Sequence, residues 1–229
     1  MRIIKKMTGM IRNFFRKNSS EKLHSDQERL KIFVTGTKKI MLHFGCGPRV
    51  LKGWVNIDLA FEPFENYLQY YGEVFYPEEV RGGRRDFFAI DIIKNRLPLE
   101  DNSVDVIFHE DFIEHLDQRS QMIFLAETYR VLKLGGIHRV NTPDLKTSMV
   151  SNSDFLLGGA GVYVDEWDAH GHKNVLTSNI LTEMARVVGY RDIYFTGRDE
   201  SSSRFVPREY RPDPNDRAEH GNIFADLVK

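Results

Sequence analysis

Short apolar runs alternate with mixed polar segments along this 229-residue chain, and that alternation sets the first expectation. Lys39-Ile40-Met41-Leu42-His43-Phe44 is a run of strand length, too short for a helix. Val55-Asn56-Ile57-Asp58-Leu59 is a second such run, Phe87-Phe88-Ala89-Ile90-Asp91 a third, Val104 to Phe108 a fourth and Ile137 to Val140 a fifth. Ile193-Tyr194-Phe195-Thr196 and Asn222 to Val228 supply two more, read as an antiparallel pair. Helical spacing falls between them. Asp26 to Val34 reads as a short helix, and His109 to Leu116 opens a helix running to about Leu132, stopped by Lys133-Leu134-Gly135-Gly136. A last helix spans Thr177 to Val188, with Thr177 or Ser178 as N-cap and Gly189 as its stop. Strand–helix alternation of this kind predicts an α/β, doubly wound, Rossmann-like sheet of seven strands, mostly parallel, with the antiparallel pair last.

Two regions depart from that rhythm. In residues 1–17, Ile3, Ile4, Met7, Met10, Ile11, Phe14 and Phe15 share one side of a helical wheel and Arg2, Lys5, Lys6, Arg12, Arg16 and Lys17 the other. The apolar arc is about 140° wide, the pattern of a basic helix lying in an anionic membrane surface or capping the domain's own core. The stretch is too polar for a signal peptide. The organisation expected is therefore a basic amphipathic helix over 1–24 and one domain over 25–229. Between Asp58 and the third strand, Phe61, Phe64, Tyr67, Tyr70, Tyr71, Phe75 and Tyr76 alternate with Glu62, Glu65 and Glu73. This reads as a helix with a core-facing stripe, or as a wall of rings for a flat or pyranose-like substrate.

Composition narrows the setting. Charged residues are 28% and hydrophobic residues 41% of the chain, the balance of an ordinary globular domain. A net charge of -1 gives no global attraction to nucleic acid, and basic residues cluster only in the first helix and from Arg204 to Arg217. One cysteine, Cys46, excludes an intrachain disulfide and fits a reducing cytoplasm, with peripheral contact to the inner membrane face through residues 1–17 as the added expectation.

Candidate chemistry collects at the ends of the apolar runs. The first breaks on Gly45-Cys46-Gly47, where a ligand can approach a backbone without side chains in the way. The second ends in Asp58, placed to accept from ribose hydroxyls, and the third in Asp91. On a helix, Asp111, Glu114 and His115 at i, i+3 and i+4 would put two carboxylates and an imidazole on one face, a partial site for Mg2+ or Mn2+. His109 and Asp144, after strands four and five, are further candidate bases.

Together these pieces resemble class I S-adenosylmethionine-dependent methyltransferases of the type 11-like kind. The resemblance rests on His43-Phe44-Gly45-Cys46-Gly47, Gly53-Trp54-Val55-Asn56-Ile57-Asp58, Leu97-Pro98-Leu99-Glu100-Asp101-Asn102-Ser103-Val104-Asp105, Phe112-Ile113-Glu114-His115-Leu116 and Arg130-Val131-Leu132-Lys133-Leu134-Gly135-Gly136, in order over roughly residues 39 to 190. The run from Gly53 to Asp58, with Thr142-Pro143-Asp144-Leu145, is similar to a bacterial branch often found among surface-polysaccharide genes. The resemblance implies that Phe44, Gly45, Cys46 and Gly47 hold the methionine part of the cofactor. It implies Asp58 and Leu59 at the ribose, Asp91 and Ile92 at the adenine, and His109 beside the cofactor. The short Gly47–Asp58 interval implies a reduced first helix. The acid-x-x-Glu-His pattern resembles metal-dependent O-methyltransferases, in which a later histidine completes the site, here His172 (or His170). Asp111 stands where those enzymes carry a glutamate. The expected catalytic residues are His115, His172 and His109, and the expected metal ligands are Asp111, Glu114, His115 and His172.

The function expected is methyl transfer from S-adenosylmethionine to a hydroxyl, most readily of a sugar or glycan intermediate, the hydroxyl proton being taken by a base or the hydroxyl acidified by a metal. The alternatives are a methyltransferase for another small molecule or an RNA end, and a non-catalytic S-adenosylmethionine-binding module docked at a membrane. A nicotinamide dehydrogenase is disfavoured because the glycine loop lacks that fingerprint's third glycine. The acceptor and the oligomeric state stay open.

Overall fold

A computed structural model describes residues 25–69, 73, 76–147, 167, 170–207 and 221–229. The basic helix expected over residues 1–17, Tyr70, Tyr71 and Phe75, and most of the glycine-rich stretch from Ser151 lie outside these residues. The strands are β1 (Met41–Phe44), β2 (Val55–Asp58), β3 (Phe87–Ala89), β4 (Val104–Glu110), β5 (Leu132–Pro143), β6 (Asp192–Phe195) and β7 (Asn222–Val228). They form one seven-stranded sheet in the order β3-β2-β1-β4-β5-β7-β6. β1 pairs in parallel with β2 and β4, β2 with β3 and β4 with β5, whereas β7 runs antiparallel to both β5 and β6. The expected seven strands and their antiparallel finish are present.

Continuous apolar runs in the central strands follow from burial on both faces. Leu42, Phe44, Ile107 and Val140 face a large core shared with Phe124, Leu125, Leu181 and Ala185. Val106 and Phe108 face the opposite side, with Leu51, Trp54, Tyr67 and Tyr76. Helix α1 spans residues 25–34, and α2 is a single turn, Phe64–Tyr67. The aromatic stretch is therefore not one long helix. Among the described rings, Phe64, Tyr67 and Tyr76 pack on one another, with Tyr67 and Tyr76 buried edge to face, while Phe61 meets Phe87. Helices α3 (Gln118–Val131) and α4 (Ser178–Val188) pack together over the first core. Thr177 caps α4 by accepting from the Ile180 N–H, and Gly189 ends it at φ 121°, as the sequence predicted.

No helix joins β1 to β2 among the described residues; the connection is a set of turns, in keeping with the short interval. Buried Asn56 holds it together. Its side-chain oxygen accepts from the Leu51 N–H at 2.8 Å and pairs with His43 Nδ1 at 3.0 Å, while its amide nitrogen reaches the carbonyls of Leu51, Trp54 and Asp86. One amide thus replaces the satisfaction that a helix would have given this backbone.

The helix expected from His109 is corrected. β4 continues through Glu110, paired with Asn141 of β5. Asp111 then turns the chain at φ 49°, Ile113–His115 forms a single 3-10 turn, and α3 begins only after Asp117, whose carboxylate accepts from the Ser120 N–H at 2.8 Å. Lys133–Gly136 is also not a plain stop between helix and strand. It is a bulge inside β5, since Val104 pairs with Leu132 and Val106 with Ile137.

Candidate active site

The carboxyl ends of β1, β2, β3 and β4 open on one end of the sheet, and the predicted residues gather there. Gly45 leaves β1 at φ 60° and its N–H donates to the Ile57 carbonyl at 3.0 Å. A Cβ on Gly45 would lie 2.5 Å from the Phe112 ring, so conformation and space both demand glycine. Gly47, at φ 46°, faces nothing within 4 Å, the open side that a ligand needs. Cys46 between them is buried with Val50, Phe87 and Ala89. Burial, then the nearby Asp58 carboxylate, pushes its thiol well above the usual range, so it fills space and does not act as a nucleophile.

Asp58 ends β2 partly buried. One carboxylate oxygen accepts from the Gly47 N–H at 2.9 Å and the other from the Leu59 N–H at 2.6 Å. It therefore fixes the glycine bend directly. Burial raises its pKa, opposed by those two amides and by His115. Asp91 lies two residues beyond β3, accepts from the Ile93 and Lys94 N–H groups at 3.1 and 3.2 Å, and pairs with the Lys94 ammonium. Ile92 is buried in the main core, while Leu59 is 66% exposed at the mouth.

Just beyond the carboxyl end of β4 stand Glu114 and His115, with His172 beside them. Their ligand atoms all lie within 4.8 Å of one another. Glu114 is fully buried, receives a hydrogen bond from Thr142 Oγ1 at 2.9 Å, and lies 4.0 Å from His172 Nε2. The rings of His115 and His172 meet edge to face, 4.9 Å between centroids, and His170 stacks on His172 at 5.5 Å. Burial and then the neighbouring His172 lower the His115 pKa, so its imidazole is neutral at pH 7.

Asp111 is not part of this group, which corrects the four-ligand expectation. The i, i+3, i+4 geometry needed a helix, and the left-handed turn at Asp111 separates it from Glu114. The remaining set of two imidazoles and one carboxylate suits a transition metal such as Mn2+ better than Mg2+. Donors about 2.1 Å from one ion sit at most about 4.2 Å apart, so small side-chain adjustments would close the set.

His109 is placed differently again. Its ring is fully buried among Phe112, Phe124 and His138, and neither nitrogen has a hydrogen-bond partner among the described residues. Burial, then His138 and His43, hold its pKa well below the usual range. It is a core imidazole in this structure, without access to an acceptor. Asp144 is engaged locally, accepting from Thr147 Oγ1 at 2.7 Å and the Lys146 N–H at 3.3 Å.

Sequence reasoning missed the residues that hold the histidine side together. Gln121 and Asn174 bond each other at 2.7 Å, and the Gln121 amide also reaches the carbonyls of Ile113 and Asn174. The Lys173 N–H donates to the Glu114 carbonyl at 2.8 Å. These bonds tie the His172 loop to the 3-10 turn. Glu110 is likewise fixed, by Arg49 at 2.9 Å and Asn141 at 2.8 Å. The one available signal was Asp117-Gln118-Arg119-Ser120, a helix-start pattern that places Glu114 and His115 before the helix.

Known proteins agree with this architecture. Residues 56–140 match a family described as methyltransferase domain. A probable S-adenosylmethionine-dependent methyltransferase of Mycolicibacterium smegmatis is 48% identical over 48 residues, which is 21% of this chain and 18% of that relative. A SAM-dependent methyltransferase from Archaeoglobus fulgidus superposes with a TM-score of 0.50 at 15% identity, covering 94% of this chain and 98% of that one. A Thermotoga maritima SAM-dependent methyltransferase, described as a possible histamine N-methyltransferase, gives a TM-score of 0.49 at 17% identity over 100% and 99% of the two chains. The sheet order and the Archaeoglobus likeness show the fold of class I S-adenosylmethionine-dependent methyltransferases, and within that fold residues 56–140 are similar to a methyltransferase domain.

Proposed function

We propose that the protein transfers the methyl group of S-adenosylmethionine to a hydroxyl of a sugar or glycan intermediate, the acceptor hydroxyl meeting the His115–His172 side of the crevice. The observation that carries this reading is the juxtaposition at one end of the sheet. The bare bend at Gly47 and the Asp58 carboxylate lie at the carboxyl ends of β1 and β2, and the polar cluster of Glu114, His115 and His172 gathers just beyond the carboxyl end of the neighbouring β4. A nucleoside with two vicinal hydroxyls suits the Asp58 acceptor, the Asp91 carboxylate suits the adenine amino group, and the uncrowded glycine suits the methionine part. In the transfer the sulfur–methyl bond breaks as the oxygen–methyl bond forms, and the hydroxyl proton must leave. A neutral imidazole takes it, and S-adenosylhomocysteine departs. Glu114, His115 and His172 are also the residues that would hold a metal ion; when bound, such an ion acidifies a coordinated hydroxyl.

The test pairs methyl-transfer assays on a panel of sugars and glycan intermediates with His115→Ala and with EDTA. Loss of activity in His115→Ala, with S-adenosylhomocysteine binding kept, supports the assignment. Loss in EDTA with recovery in Mn2+ assigns the cluster to a metal, and resistance to EDTA assigns it to the imidazole as base. Full activity under both treatments overturns both roles.

A further inference from the structure

The opposite end of the sheet carries a second cavity, of about 350 Å3, that the crevice chemistry does not use. It is lined at the amino ends of the parallel strands by Lys39 before β1, Asp105 in β4, Lys133 in the β5 bulge, and Ser202, Ser203 and Arg204. The seven residues of β4 put it roughly 20 Å from the crevice. We propose that this cavity binds a phosphate group, carried by a small phosphate ester or by a lipid headgroup.

Charge is the first support. Three cationic side chains meet one carboxylate, and that carboxylate is already committed. Asp105 Oδ2 accepts from Lys133 Nζ at 2.9 Å and from the Ile40 N–H at 3.0 Å. Lys39 and Arg204 have no carboxylate partner among the described residues. Both lie instead over the ring of Phe205, at 3.4 and 4.9 Å from its centroid. Both residues line the cavity, so a dianion bound there would meet two cations that no carboxylate neutralises and would gain charge-assisted hydrogen bonds from them. The whole chain carries a net charge of only -1, so this excess of positive charge is local to the cavity.

Rigidity is the second support. The wall carrying Ser202–Phe205 is tied to a fully buried ion pair. Asp226 of β7 receives the Ser202 N–H at 2.6 Å and the Ser201 hydroxyl at 3.0 Å. Arg139 of β5 faces Asp226 at 3.5 Å and also donates to Thr196 Oγ1 and the Gly197 carbonyl. The loop is thus held before any ligand arrives, and the Ser202 hydroxyl, with no partner among the described residues, is left to donate. The volume lies at the small end of ligand sites, in keeping with a phosphate ester and too small for a nucleotide cofactor.

Titration of the full chain with inorganic phosphate at constant ionic strength tests the proposal. Binding is expected, weakened at least about tenfold by the double substitution Lys39→Gln, Arg204→Gln. Thermal stabilisation by S-adenosylhomocysteine should be unaltered in that variant, which shows that it is folded. Co-sedimentation with phosphatidylcholine vesicles containing phosphatidic acid separates the two sources. A phosphate-competable loss in the variant assigns a headgroup, and unchanged sedimentation alongside weakened phosphate binding assigns a soluble ester. Phosphate titrating the variant and the natural chain alike, or acting no differently from chloride, overturns the proposal.

Discussion

The two sides of the crevice are built in different ways. On the glycine side, one stretch of backbone does the work: Gly45, Gly47 and Asp58 lie within 14 residues and brace one another through main-chain amides. On the histidine side, Glu114 and His115 come from a 3-10 turn, His172 from a loop more than fifty residues later, and Gln121, Thr142 and Asn174 hold them in place. The first arrangement is local and tolerates few residue types. The second is assembled from distant segments by side chains, and it can be retuned one residue at a time. A cofactor common to many enzymes and an acceptor particular to one would be served by that division.

The largest effect that separates the two sides should come from acid. Three buried imidazoles, His43, His109 and His138, sit beneath the crevice, the first and last with pKa values lowered to about 3 by burial. Each is neutral in the native state but takes a proton on unfolding below about pH 6.5. Their stabilisation is therefore complete above that pH and is lost as the pH falls toward 3. The expected slope is about 1.4 kcal/mol per pH unit for each imidazole, several kcal/mol by pH 5. Denaturant melts across pH 4–7 should show it, and His138→Gln should remove about one proton from the slope.

Glycine replacements should follow in size. Gly45→Ala is expected to cost about 2–4 kcal/mol, from the clash with Phe112 and the left-handed backbone, and to abolish S-adenosylhomocysteine binding. Asp58→Asn should weaken S-adenosylhomocysteine by about 1.5–3 kcal/mol in calorimetry. Its effect on apo stability should be smaller, because a buried carboxylate whose pKa is raised gives up stability as the pH climbs through that pKa. For the same reason, cofactor affinity should fall on acidification at a pH above the ordinary aspartate range. Gly47→Ala should cost about 1–2 kcal/mol, from the left-handed backbone at φ 46° alone, since nothing within 4 Å opposes its Cβ. A Gly47 variant less stable than the Gly45 variant would undo the contrast between them.

The same division explains what the sequence disclosed. The glycine bend, Asp58 and all seven strands were legible because each is encoded by neighbouring residues. The reduced connection after β1 was legible from its length. The histidine side was legible only as a list of residues. Asp111 was misplaced because helical spacing was read through a turn that takes a left-handed residue, a choice that Asp tolerates and that leaves the i, i+3, i+4 spacing intact. His109 sits in a strand whose buried face no local pattern distinguishes from an open end. Asn56, Gln121 and Asn174 are polar residues whose partners lie elsewhere in the chain, and nothing in their neighbours announces them.

β6 touches the sheet only through β7, which follows it in the chain and inserts between β5 and β6 with all seven residues buried. During synthesis, β6 therefore has no edge to join until the later strand has left the ribosome. A growing chain must carry exposed hydrogen-bonding edges on both β5 and β6 for that interval, so this corner of the protein is where a translating cell would need a chaperone's shelter.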